Sequence, residues 1–223
     1  MISQLKLKPE NLYFIESDSD HFIDTFDKLE RLLFQEMNRE VYLNLCQHFQ
    51  QPLPCDFSDY SDEIHEFEQS FQYYLHSHVS FNVLNTHFPD NFADIVYANN
   101  FFHCLAFTTN EKIEENLSPI DKINLVLRES YRILKSKGIL VGRMLSDKLD
   151  EKKIDELEIK TERTEKEDFA LRTTKALING ELTGLSPVQF KNMATKAGYY
   201  KVHTKNKSSL WKPIQDFYFR AEK

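Results

Sequence analysis

Any chemistry in this chain has to come from a few short runs of carboxylates, amides and imidazoles. The densest is Glu16-Ser17-Asp18-Ser19-Asp20, which directly follows the apolar run Leu12 to Ile15. Carboxylates there could hold a cation or the cationic groups of a ligand. They equally suit a solvated loop and helix N-cap, with Asp20 or Asp24 facing a helix dipole. Asn85, and the pair Asn99-Asn100 with His103 just beyond, offer amide and imidazole groups that can hydrogen-bond a ligand. Asparagines at strand ends are also ordinary turn formers. No general base or other catalytic residue is assigned by these residue types alone. His76, His78, His87 and His103 cluster in sequence, but no Cys-x-x-Cys or His-x-x-x-His spacing occurs. No metal site is expected, and the imidazoles read as solvated or core residues.

These groups need regular elements to position them. Phe92 to Ala98 is a short apolar run bounded by Pro89, Asp90 and Asn91 before it and Asn99 and Asn100 after it, the pattern of a buried parallel strand. Ser118 then offers an N-cap, Pro119 fits the first helical position and Asp121 suits the first-turn dipole. Ile120, Ile123, Leu127, Tyr131 and Leu134 recur at helical spacing as far as Lys135. Gly138 is placed for a left-handed cap, and Ile139 to Leu145 starts a further strand. The order is strand, helix, strand.

Earlier in the chain, Leu12 to Ile15 reads as a strand, and Phe22, Phe26, Leu29, Leu33 and Met37 line a helix face. Glu40 to Cys46 alternates as a second strand does, although a continued helix fits nearly as well. Ser61 to Leu75 is helical, and Val79 to Leu84 makes a third strand. After Leu145, residues 146–183 form a charged insertion, a solvated helix or a lid. Ser186-Pro187 opens another helix closed by Gly198, and Tyr199 to Thr204 and Ile214 to Ala221 are the last two strands. Alternating strands and helices imply a parallel sheet. With no Pro/Gly/Ser-rich linker, residues 1–223 read as a single domain.

Charge is shared unevenly. Residues 1–100 carry 5 Lys and Arg against 17 Asp and Glu, whereas 184–223 carry 8 against 2. The acidic face repels nucleic-acid phosphates and the basic C-terminal forty residues have no recognised nucleic-acid motif, so no nucleic-acid partner is expected. Apolar runs are too short to span a bilayer. The first residues lack the apolar core of a secretory signal, and three widely spaced cysteines favour reduced thiols, so a cytoplasmic location is expected.

Three segments together resemble class I S-adenosylmethionine-dependent methyltransferases. FPDNFADIVYANNFFHCL resembles the approach to that family's fourth strand, with Asp94 at the family's aspartate and His103 where many members keep a histidine. RESYRILKSKGILV resembles its helix and fifth strand, with Ser136 and Lys137 replacing a Pro and a Gly. LSPVQFKNMATKAGYYKV resembles its late helix and sixth strand. The resemblance implies a Rossmann-like, doubly wound α/β fold, a mainly parallel seven-stranded sheet with an antiparallel C-terminal edge hairpin. It also implies S-adenosyl-L-methionine as cofactor and methyl transfer to a small-molecule or protein acceptor.

Ligands of such sheets lie beyond the carboxyl ends of the strands, which directs the search to Glu16, Ser17, Asp18, Asn85, Asn99 and Asn100. The family's glycine-rich loop after the first strand, whose backbone N–H groups meet the cofactor, is degenerate here. Its glycine positions fall on Glu16, Asp18 and Asp20, and no glycine precedes Gly138. Two further readings follow. Leu12 to Glu16 can instead be the family's second strand, with Glu16 its ribose-binding acid. Or the chain is a catalytically inactive relative that serves as an interaction module or as the partner of an active subunit.

Overall fold

The computed structural model describes residues 13–15, 79–80, 82–99, 101–105, 117–207 and 212–223. The chain divides into two units, Met1–His87 and Phe88–Lys223.

In the first unit, β1 (Phe14–Ile15) pairs in parallel with β2 (Val79–Ser80), Phe14 opposite Val79 and Ile15 opposite Ser80. The strand expected to reach Leu84 turns away earlier. Asn82 Oδ1 accepts the backbone N–H groups of Leu84 and Asn85 at 3.0 and 3.1 Å, an Asx turn that competes with extending the strand. The helices expected over Phe22 to Met37 and Ser61 to Leu75, and the strand over Glu40 to Cys46, lie outside the described residues.

The second unit holds a four-stranded mixed sheet of order β3-β4-β6-β5, comprising β3 (Ala93–Asn99), β4 (Leu134–Leu149), β5 (Lys201–Lys207) and β6 (Ile214–Glu222). β3 and β4 run parallel, with Ala98 opposite Gly142 and Asn99 opposite Arg143. β6 is antiparallel to both β4 and β5. Among the described residues this sheet has four strands, not the seven expected.

Helix α1 (Pro119–Ile133) connects β3 to β4. Ser118 caps it, its Oγ accepting the Asp121 N–H at 3.2 Å, and Ile123, Val126, Leu127 and Ile133 form its buried stripe. Ile120, expected on that stripe, is exposed. The helix ends at Ile133, and the left-handed residue is Lys137 (φ 66) rather than Gly138. Gly138 meets a different need: a Cβ there would stand 2.8 Å from the Lys135 carbonyl oxygen. β3 is less buried than its composition suggests, because Ile95 and Tyr97 are exposed.

The charged segment after β4 folds into α2 (Glu151–Ile159) and α3 (Glu165–Ile178), the latter with a Thr164/Glu167 capping box. Helix α4 (Pro187–Ala197) carries a Ser186/Gln189 box and ends on Gly198 at φ 114. The core is aromatic. Phe190 of α4 packs on Phe102, Phe217 and Phe219 at centroid separations of 5.8, 5.7 and 4.4 Å.

Candidate functional site

The carboxyl end of the parallel β3–β4 pair is where open sheets of this kind place ligands, and four segments of the second unit converge there. The first is the 3-10 turn Phe102–Cys104. Phe102 and Leu105 have no exposed surface, so the aromatic core fixes the turn and His103 between them is held in place. The second is the end of β4. The third is the connection to α4: the Thr183 N–H donates to the His103 carbonyl at 3.1 Å and the Leu185 N–H to the Leu145 carbonyl at 3.2 Å. Gly184 allows this approach, since a Cβ would stand 2.7 Å from the Ser146 carbonyl oxygen. The start of β6 is the fourth.

Together they enclose a mixed-charge cluster. Asp216, 1% exposed, pairs with Arg143 at 2.7 Å and with Lys212. His103 is buried beside them. Its pKa is pushed down to about 4, chiefly by burial, with Arg143 adding to the effect and Asp216 opposing it. Among the described residues, buried His103 Nδ1, Arg143 Nε and Asp216 Oδ1 have no hydrogen-bond partner. Two cations share one carboxylate, so with His103 neutral the cluster carries an excess positive charge.

The residues singled out from sequence fall in different places. Asn99 ends β3, exposed and opposite Arg143. Asn85 is exposed in the Asx turn of the first unit, its N–H already donated to Asn82. Glu16, Ser17, Asp18 and Asn100 lie outside the described residues. Glu129 and Arg132, prominent in the family-like helix segment, are structural. Arg132 holds Glu129 through Nε (2.8 Å) and Nη2 (2.7 Å), Asp90 at 2.6 Å and the Phe88 carbonyl at 2.7 Å, tying the turn before β3 to α1. Sequence reasoning missed Arg143 and Asp216. The available signal was a lone charge inside each apolar strand run, VGRML and IQDFYF. Among the described residues no group of His, Cys, Asp and Glu could hold a metal ion, and no helix is long and apolar enough to cross a membrane.

A parallel strand, helix, strand unit extended by an antiparallel pair makes the second unit an α/β fold. A family model described as a methyltransferase domain matches residues 40–142, a span that takes in β3, α1 and the first half of β4. The chain resembles the class I S-adenosylmethionine-dependent methyltransferases, and two of its three family-like segments lie inside the matched span.

No curated protein matches in sequence. Similar solved structures include SAM-dependent methyltransferases from Thermotoga maritima (14% identity, TM-score 0.39, covering 73% of this chain and 70% of that one) and Methanosarcina mazei (15%, 0.38, 65% and 65%). A Haemonchus contortus phosphoethanolamine N-methyltransferase solved with S-adenosyl-L-methionine is 12% identical, with TM-score 0.39, covering 73% of this chain and 40% of that one. The chain thus spans less than two thirds of the last two proteins.

Proposed function

We propose that the chain belongs to a methyl-transfer system that uses S-adenosyl-L-methionine, with a small molecule or protein as acceptor. The parallel β3–α1–β4 unit carries this reading, because the methyltransferase-domain match runs through it and its carboxyl end is lined by Asn99 and the His103 cluster. The rest of the seven-stranded, doubly wound sheet belongs to the same proposal.

The bound cofactor would supply an electrophilic methyl group. The chain's residues would bind and orient, and alignment supplies much of the acceleration in an in-line displacement. In the first unit, Glu16 is the candidate ribose acid. It directly follows β1, and the β1–β2 pairing suits neighbouring strands of the sheet, as the second-strand assignment requires. Ser17 and Asp18 continue that loop, and the Asn85 side chain is a further candidate for cofactor contact. In the second unit, Asn99 and Asn100 are the candidates to face the cofactor's methyl end, as their place in the family-like segment implies.

A second reading is favoured by one observation, the absence of any glycine before Gly138. Without the glycine loop the fold serves as an inactive interaction module or as the partner of an active subunit. Calorimetry with S-adenosyl-L-methionine on the isolated protein separates the two. Low-micromolar binding that Glu16→Gln or Asn85→Ala weakens at least tenfold supports the first reading. Absence of binding, alone and with any co-purifying protein, overturns it.

A further inference from the structure

We propose that Arg143 and Lys212 form an oxyanion-binding subsite, and that the acceptor it takes carries a carboxylate or phosphate group. The identification of that group with the acceptor rests on the methyl-transfer reading; the anion site itself does not.

Three observations converge on it. Asp216 is the shared carboxylate of Arg143 and Lys212, which among the described residues leaves one positive charge without a counterion in the cluster. Buried polar atoms are nearly always hydrogen-bonded, so three orphans in one place call for a missing partner. Arg143 Nε is such an orphan, and it lies on the guanidinium whose Nη2 already engages Asp216. Arg143 also keeps 26% of its side chain exposed and Lys212 11%, so an anion can approach from solvent while Asp216 stays buried beneath. The guanidinium fork matches a planar carboxylate or a phosphate edge. Across the sheet, Asn99 stands opposite Arg143, which puts an amide donor at the same strand end.

A purely cationic acceptor would meet Arg143 and Lys212 with like charge.

The test is a titration of the full chain with inorganic phosphate and, separately, with acetate, ionic strength being held constant with chloride. Trp211, the chain's single tryptophan, adjoins Lys212 in sequence, so its fluorescence is the readout. The expected result is a saturable change with at least one anion, weakened about tenfold or more in Arg143→Gln, as loss of a charge-assisted hydrogen bond implies. Lys201→Gln, which removes a lysine paired with Glu222, should bind like wild type. If Arg143→Gln does not fold, Lys212→Met carries the same expectation. A response to acetate alone assigns a carboxylate, and a response to phosphate assigns a phosphate-sized group. No saturable change with either anion, or equal affinity in the Arg143 or Lys212 variant, overturns the proposal. No cofactor is present, so failure here is separate from failure to bind S-adenosyl-L-methionine.

Discussion

Gly142 and Ala98 face each other across β3 and β4 so closely that a Cβ on Gly142 would stand 1.9 Å from the Ala98 carbonyl oxygen. Backbone, not a flexible side chain, blocks that position, and the Phe219 ring closes it from the other side at 2.6 Å. Gly142→Ala must therefore part β4 from β3 or displace Phe219 from the core. Overpacking of this kind costs on the order of 3 kcal/mol, and a denaturant midpoint equal to wild type would contradict it.

Leu127 of α1 has no exposed surface. Leu127→Ala leaves a cavity beneath the sheet, and chemical unfolding should show a loss of about 2 to 5 kcal/mol. A loss near zero would mean that this helix face is not part of the core.

Arg132→Met removes the hydrogen bonds to Glu129, Asp90 and the Phe88 carbonyl. The Asp90 arm is largely exposed and contributes little. The Glu129 and Phe88 arms are partly buried, and their loss should cost about 2 kcal/mol. Hydrogen exchange should quicken first in the turn before β3, before any change in β5.

His103 gives the protein a pH dependence of definite sign. Its folded pKa is about 4 against an ordinary 6.5, so between these values the unfolded state binds more protons than the folded one. The contribution is whole above about pH 6.5, declines as pH falls, and levels off below about 4. It amounts to on the order of 3 kcal/mol. In urea titrations across that window His103→Gln should lose less stability than wild type; parallel curves would refute the assignment.

Local signals in the sequence were reliable where the physics is local. Ser118-Pro119 and Ser186-Pro187 begin helices because cap geometry depends on a few adjacent residues, and Gly198 ends one at a φ of 114 that favours glycine. Gly138 was misread for a tertiary reason. The approach of Lys135 and Ala93 carbonyls demands a missing Cβ, while Lys137 absorbs the left-handed turn. The composition of β3 gave no sign that Ile95 and Tyr97 would be exposed, because a run apolar on both faces does not say what covers it. The Arg143, Lys212 and Asp216 cluster left no motif, since the β4–β6 register brings together residues some seventy positions apart. Asn99 was found in sequence and Arg143 opposite it was not.

The strand order β3-β4-β6-β5 also constrains assembly on the ribosome. β5 is made before β6, yet in the finished sheet β6 lies between it and β4. While β5 is emerging it has no sheet partner, and β4 presents a row of unpaired N–H and C=O groups. Bare edges of this sort recruit strands from other chains. β6 is thus the seal of the second unit, and a chain cut between Lys207 and Ile214 would leave the β4 edge open to strands of other chains.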